Sequence, residues 1–123
     1  TLTTQPISLG DFAFAPKILG TEDLYGFEDQ FESGDFENDF IEPYHELLSA
    51  SGHRLGGYPF FTQTDPRQYN ANIQDYILLF QLDSEDAENE IMWGDSGVGN
   101  FFIHPEDLKK RDFSKVLYNW DCY

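Results

Sequence analysis

The chain has 123 residues, and 7 basic against 23 acidic side chains leave a formal net charge of −16. Leu, Ile, Val and Phe supply 33 of those residues. That share lies above the ~20 % level below which a highly charged chain stays disordered, so the sequence encodes one folded acidic domain, long enough to close a core without staples. The charge argues against nucleic acid or anionic membrane as a partner, since both require a basic footprint. The single cysteine, Cys122, excludes an internal disulfide and any multi-cysteine metal site.

The chain begins at Thr1, with no initiator methionine and no basic stretch leading into an apolar one. This reads as a processed chain or a piece of a longer one, with the cytoplasm as the default location. Phe12 and Phe14 alternate around Ala13 and suggest a strand. Between Thr21 and Glu46 there are ten acids and no base, interleaved with Tyr25, Phe27, Phe31, Phe36, Phe40 and Tyr44. Steps of four stack these aromatics along one helix face with acids on the other. Gly34 breaks the pattern, so the segment up to it is loose or irregular and helical turns follow over Asp35–Ser49. Pro43 starts a fresh helix at its first turn or kinks the longer one, and Gly52 is placed to cap it. The region 21–50 is thus an acidic, aromatic-rich helical segment, and 52–123 is sheet-rich.

After Gly52 the period changes. Gly56, Gly57 and Pro59 mark a tight turn leading into a short edge strand, and Thr64–Asn72 reads as a polar loop. Tyr76–Leu82 is apolar on both alternations, as in a central strand covered on both faces. At five residues its Tyr76–Phe80 core is the longest apolar run in the chain, too short to span a bilayer. Asp83–Glu90 is expected as a solvated loop. Ile91–Trp93 resumes a strand, Gly94-Asp95-Ser96-Gly97 reverses the chain, and Val98–Ile103 returns. Pro105 opens a short helix with Glu106 and Asp107 in its first turn and Lys109–Arg111 in its last, matching the helix dipole. In the final segment Val116, Tyr118, Trp120 and Cys122 alternate with Leu117, Asn119, Asp121 and Tyr123, which places Cys122 with the core set. The sum is an α+β fold, with an antiparallel or mixed sheet of four to six strands flanked by one or two helices.

Few motifs carry chemistry. Gly94-Asp95-Ser96-Gly97 is similar to the nucleophile stretch of trypsin-like proteases, but Val98 follows where that family has glycine, and His45, His53 and His104 lack a triad context. A glycine-flanked turn is the plainer reading. The acids from Asp83 onward fail as an EF-hand, with Ala87 at position five, Glu88 at six and Gly94 at twelve. No His or Cys pair has zinc-ligand spacing and no phosphate-cradling loop is present, so neither metal nor cofactor is expected.

Four separated blocks carry a family resemblance. They are Gly52-His53-Arg54-Leu55-Gly56-Gly57-Tyr58-Pro59, Leu78-Leu79-Phe80-Gln81-Leu82-Asp83, Met92 through Ile103, and the run from Asp107-Leu108 through Asp112-Phe113 to Trp120-Asp121-Cys122-Tyr123. In order and spacing they resemble the YwqG-like family of bacterial proteins, a family of unknown function, over Gly52–Tyr123, with a poor match before Glu42. The resemblance implies a sheet-rich, helix-flanked fold. It also implies cytoplasmic bacterial proteins about twice this length, of which this chain would be the carboxy-terminal portion. Members associated with toxin systems suggest an immunity-like role, and no catalytic residue is carried across.

The residues thus favour a non-catalytic binding module that engages a basic partner protein through its acidic face. The rival expectation is a small-molecule or hydrolytic site on the sheet. It would draw on Asp95 and Ser96, the amides Gln63 and Gln81, and Trp93 as an aromatic wall, provided the two glycine turns meet at one end of the sheet.

Overall fold

A computed structural model describes residues 13, 17, 20, 24–30, 34–47, 50–85 and 90–123. The strand expected around Phe12 and Phe14, residues 48–49 of the helical stretch and residues 86–89 of the acidic loop lie outside the described residues. The class is α+β, as the periodicities predict: a four-stranded antiparallel sheet in the order β1-β2-β3-β4, with short helices. The strands are β1 (Arg54–Leu55), β2 (Ile77–Asp83), β3 (Val98–Ile103) and β4 (Leu117–Asp121).

In the acidic segment Leu24–Gln30 forms a 3₁₀ helix, and a π-helical turn over Glu37–Ile41 runs into α1, Glu42–Leu47. Pro43 explains the irregularity. It brings no N–H to the helical ladder, and the preceding turn is closed one residue wider, by the Glu42 N–H donating to the Glu37 carbonyl. The step of four holds where it can be followed: Phe36 and Phe40 stack with centroids 5.1 Å apart, and with Phe27 and buried Ile41 they form a small apolar cluster. At its start the Asp35 carboxylate accepts from the Asn38 side chain and backbone, which holds Asp35 below the ordinary carboxylate range.

The edge strand comes before the glycine turn, not after it. Arg54 and Leu55 pair with Gln81 and Phe80, and Gly56 closes the pairing by donating its N–H to the Leu79 carbonyl, 3.0 Å. Gly52, expected as a helix cap, donates its N–H to the Asp83 carboxylate at 2.6 Å and so fastens the chain to the end of β2. Residues 58–63 join no ladder. They form a strap across one face of the sheet, held by side chains. The Phe60 N–H donates to Gln81 Oε1 (2.7 Å) and its carbonyl accepts from Asn100 Nδ2 (2.8 Å). The Thr62 and Gln63 N–H groups donate to the two oxygens of Asp121, at 3.1 and 3.0 Å. Gln81 spends its amide hydrogens on the carbonyls of Ala50 and Gly52. Pro59, which cannot donate to a ladder, suits this course.

The register assigns the faces, because directly paired residues share one. A bulge between Leu78 and Phe80 turns β2 over: Leu78 pairs with Phe102, whereas Phe80 pairs with Phe101 on the opposite side. The inner face, under the strap, holds Leu78, Gln81, Val98, Asn100, Phe102, Leu117, Asn119 and Asp121. Phe61, Leu78 and Phe102 are its apolar core, with Tyr76 and Leu117 packed against it. The loop expected over Thr64–Asn72 contains a 3₁₀ turn, Pro66–Tyr69, capped by buried Asp65. Arg67 folds back from that turn to pair with Asp65 at 2.7 Å, donates to the Tyr76 carbonyl and lies 4.8 Å over the Phe102 ring. The ion pair lets a polar loop enter the core, since each buried charge has its partner.

Two further expectations change. The acidic loop starts later, because Asp83 ends β2 and Glu85 bridges Ile91. That bridge is all that remains of the strand expected at Ile91–Trp93. The Trp93 N–H goes to Ser84 Oγ and its carbonyl accepts from Gly97, so these groups close a turn instead of a ladder. By contrast β3 occupies Val98–Ile103 as expected, and α2 spans Pro105–Lys109 with the His104 side chain capping its N-terminus.

Replacing Gln81 with alanine should destabilise the fold by at least about 2 kcal/mol, because Phe60 and two carbonyls lose buried partners. A lowered urea midpoint at unchanged slope checks this, and an unchanged midpoint would contradict it.

Candidate functional site

The outer face of the sheet carries aromatic and aliphatic side chains and no charged one. Leu55, Phe80, Phe101 and Tyr118 are successive cross-strand partners, so they form a row over all four strands. Phe80 and Phe101 stack at 4.3 Å, and Phe101 meets Tyr118 at 5.0 Å. Beside it runs a second row, Leu82, Gly99 and Trp120, with the Trp93 ring laid on Gly99 and 5.8 Å from Tyr118. The middle of this surface is half-buried and Ile103 at one end is fully buried, but the strand edges are open: Leu55 is 68 % exposed, and Tyr118 and Trp120 are each 47 % exposed. Single exposed apolar residues are ordinary on a protein surface; contiguous rows are not.

Close packing fixes Trp93. A Cβ on Gly99 would come within 2.5 Å of the indole, so the ring lies flat only because residue 99 is glycine. A Cβ on Gly97 would meet the Asp121 carbonyl at 1.9 Å, so β4 passes over the turn only because that residue is glycine too. The glycines of Gly94-Asp95-Ser96-Gly97 are therefore accounted for by packing against β4. Ser96 sits exposed in the turn, and neither described histidine ring is directed at it. His53 Nδ1 accepts from the Asp83 N–H while Nε2 faces Glu85 at 3.0 Å, and His104 caps α2.

The five residues singled out from the sequence fall in two places. Gln63 donates to the Cys122 carbonyl, and the Asp95 carbonyl accepts from the Tyr123 N–H, so both are tied to the 121–123 tail, with Ser96 and Trp93 in the adjoining turn. Gln81 lies beneath the strap with its amide spent on backbone groups. The Gly56-Gly57 turn sits alongside Leu79, whereas Gly94–Gly97 lies at the end of the sheet next to Asp121, so the two turns do not share one end. A cleft of about 240 Å³ lies elsewhere, lined in part by Lys17, Tyr58, Arg67, Gln74 and Tyr76, and its buried cation is already matched by Asp65. Among the described residues no three His, Cys, Asp or Glu side chains gather in a way that would hold a metal ion.

Leu55, Phe80, Phe101, Tyr118 and Trp120 are not among the site residues that the sequence points to. The signal was the alternation of β4, whose polar members Asn119 and Asp121 face inward, leaving Tyr118 and Trp120 outside. Cys122 is half-buried and is a free thiol.

A sheet with one strapped face, polar at its centre, and one aromatic face, open at Leu55, Tyr118 and Trp120, defines a small α+β domain with a surface suited to contact. A family model described as a domain of unknown function, DUF1963, matches residues 1–122, and the chain belongs to that family. The match reaches back to residue 1, so kinship extends through the acidic segment and well before Gly52. No curated protein matches the chain.

Substituting Gly99 with alanine should lift the Trp93 ring and cost about 1–3 kcal/mol. A lower melting temperature together with red-shifted tryptophan emission checks this; an unchanged spectrum would show that the ring does not lie there.

Proposed function

We propose that this chain is a non-catalytic binding module, a YwqG-like member of its family, acting in the bacterial cytoplasm on a basic partner protein. The observation that carries this reading is the outer apolar surface. Leu55, Tyr118 and Trp120 offer aromatic and aliphatic anchors of the kind that dominate protein interfaces. Around such anchors, charge sets encounter and selectivity more than affinity. Glu90 and Asp95 are exposed near the Trp93 end, and the acidic segment presents exposed Glu37, Asp39, Glu42 and Glu46. A net charge of −16 steers basic proteins toward the domain and repels acidic ones. An immunity-like role, in which a basic toxin is masked, is one form of this chemistry. No helix of the described chain is long and apolar enough to cross a membrane.

The test starts with capture from bacterial lysate at low and physiological salt, followed by calorimetry on each purified basic protein that is retained. The reading predicts binding that weakens with salt, and a loss of about tenfold or more (~1.4 kcal/mol) for the double variant Leu55→Ala/Tyr118→Ala, with a cooperative melt confirming that the variant folds. Binding indifferent both to salt and to that variant would reject it.

A further inference from the structure

The two edges of the sheet differ. β1 is a two-residue strand followed at once by the Gly56-Gly57 bend, an edge too short to template pairing. β4 is the other edge, five residues long, Leu117-Tyr118-Asn119-Trp120-Asp121. It has no proline, no lysine and no bulge, three devices that blunt an edge, and its one inward charge, Asp121, is spent on the strap. Among the described residues its backbone pairs with β3 alone.

Charge is ordered along this open edge. Four of the chain's seven basic residues, Lys109, Lys110, Arg111 and Lys115, stand exposed where the chain leads into β4. At the far end exposed Asp95, just ahead of β3, is held beside the tail by the Tyr123 N–H donating to its carbonyl, 3.2 Å. A strand that docks antiparallel on β4 fits if it is acidic opposite Lys115 and basic opposite Asp95. In an antiparallel pairing of two β4 strands, the basic approach of one copy lies toward the acidic end of the other.

We propose that β4 pairs antiparallel with β4 of a second copy about a two-fold axis at Asn119, joining two sheets into one. In this register Tyr118 stands opposite the partner's Trp120, an aromatic cross-strand pair, and Leu117 stands opposite the partner's Asp121. Lys115 stands opposite the partner's Tyr123, about 10 Å (two strand spacings) from the partner's Asp95, an attraction that is felt at low ionic strength and fades with added salt. The contact is isologous, so it closes at a dimer. The outer apolar rows of the two copies become continuous, doubling the surface offered on one side of the sheet. Neither the edge nor its ordered charges depend on the partner reading above.

Sedimentation equilibrium over a wide concentration range tests the dimer, with charge reversal as the discriminating arm. Net repulsion between two −16 chains and end-to-end attraction give opposite expectations for Asp95→Lys. The proposal predicts that Lys115→Glu and Asp95→Lys each weaken self-association severalfold, and that the double variant restores it, with melting temperature confirming that each folds. It also predicts that amide protons on the open side of β4 gain exchange protection as concentration rises, while those bonded to β3 do not change. A monomer at millimolar concentration would overturn it. So would a tighter dimer for Asp95→Lys, or a dimer that leaves the β4 amides unchanged.

Discussion

Three side chains, Gln81, Asn100 and Asp121, stand on neighbouring strands and receive the 58–63 strap, and the rest of the arrangement depends on that polar row. Backbone groups of a segment that joins no ladder still need partners once buried. Here amides and a carboxylate supply them. Their presence makes one face of the sheet polar at its centre, with the apolar core of Phe61, Leu78 and Phe102 displaced toward one end. The aromatic members of β2, β3 and β4 are then directed to the opposite face, where no strap crosses among the described residues.

The elements whose signals are local were legible in the sequence. β3 and α2 occupy the residues expected, because a glycine-bounded apolar run and a proline-opened, dipole-matched turn state their structure within a few residues. The errors share a cause in long-range partners. Leu55-Gly56-Gly57-Tyr58-Pro59-Phe60-Phe61 looks like a turn followed by a strand, yet Phe60 is held by Gln81 and Asn100 from far along the chain, and the pairing residues lie before the turn. Ile91–Trp93 has strand composition, but Ser84 and Gly97 take its hydrogen bonds. The alternation of β4 was plain and its sense was not: apolar side chains normally face inward, and here Asn119 and Asp121 do so, Asp121 as the carboxylate that receives the strap. Of the residues weighed as a site, Gln81 proves a backbone anchor, while Gln63, Trp93, Asp95 and Ser96 gather around the 121–123 tail.

Charge and apolar surface are separated in this molecule. The acidic segment packs its own phenylalanines into a local cluster and leaves exposed carboxylates outside, and like charges at that density repel unless something basic approaches. The outer sheet face supplies the contacts that such an approach would complete. The few cations are also placed with order. Arg67 is consumed in the core by Asp65, Arg54 spans the Ser51 and Tyr58 carbonyls with its guanidinium lowered in pKa by burial and supported by Asp83, and the others except Lys17 cluster ahead of β4.

Native-state hydrogen exchange at Phe60, Thr62 and Gln63 bears most directly on the polar row. These amides lie outside every ladder, so a strap resting loosely on the sheet would exchange them as fast as the exposed turn at 71–75. The account predicts that they open only with the sheet, at free energies matching those of β3 amides. Fast exchange at all three while β3 stays protected would contradict it, and with it the assignment of the two faces.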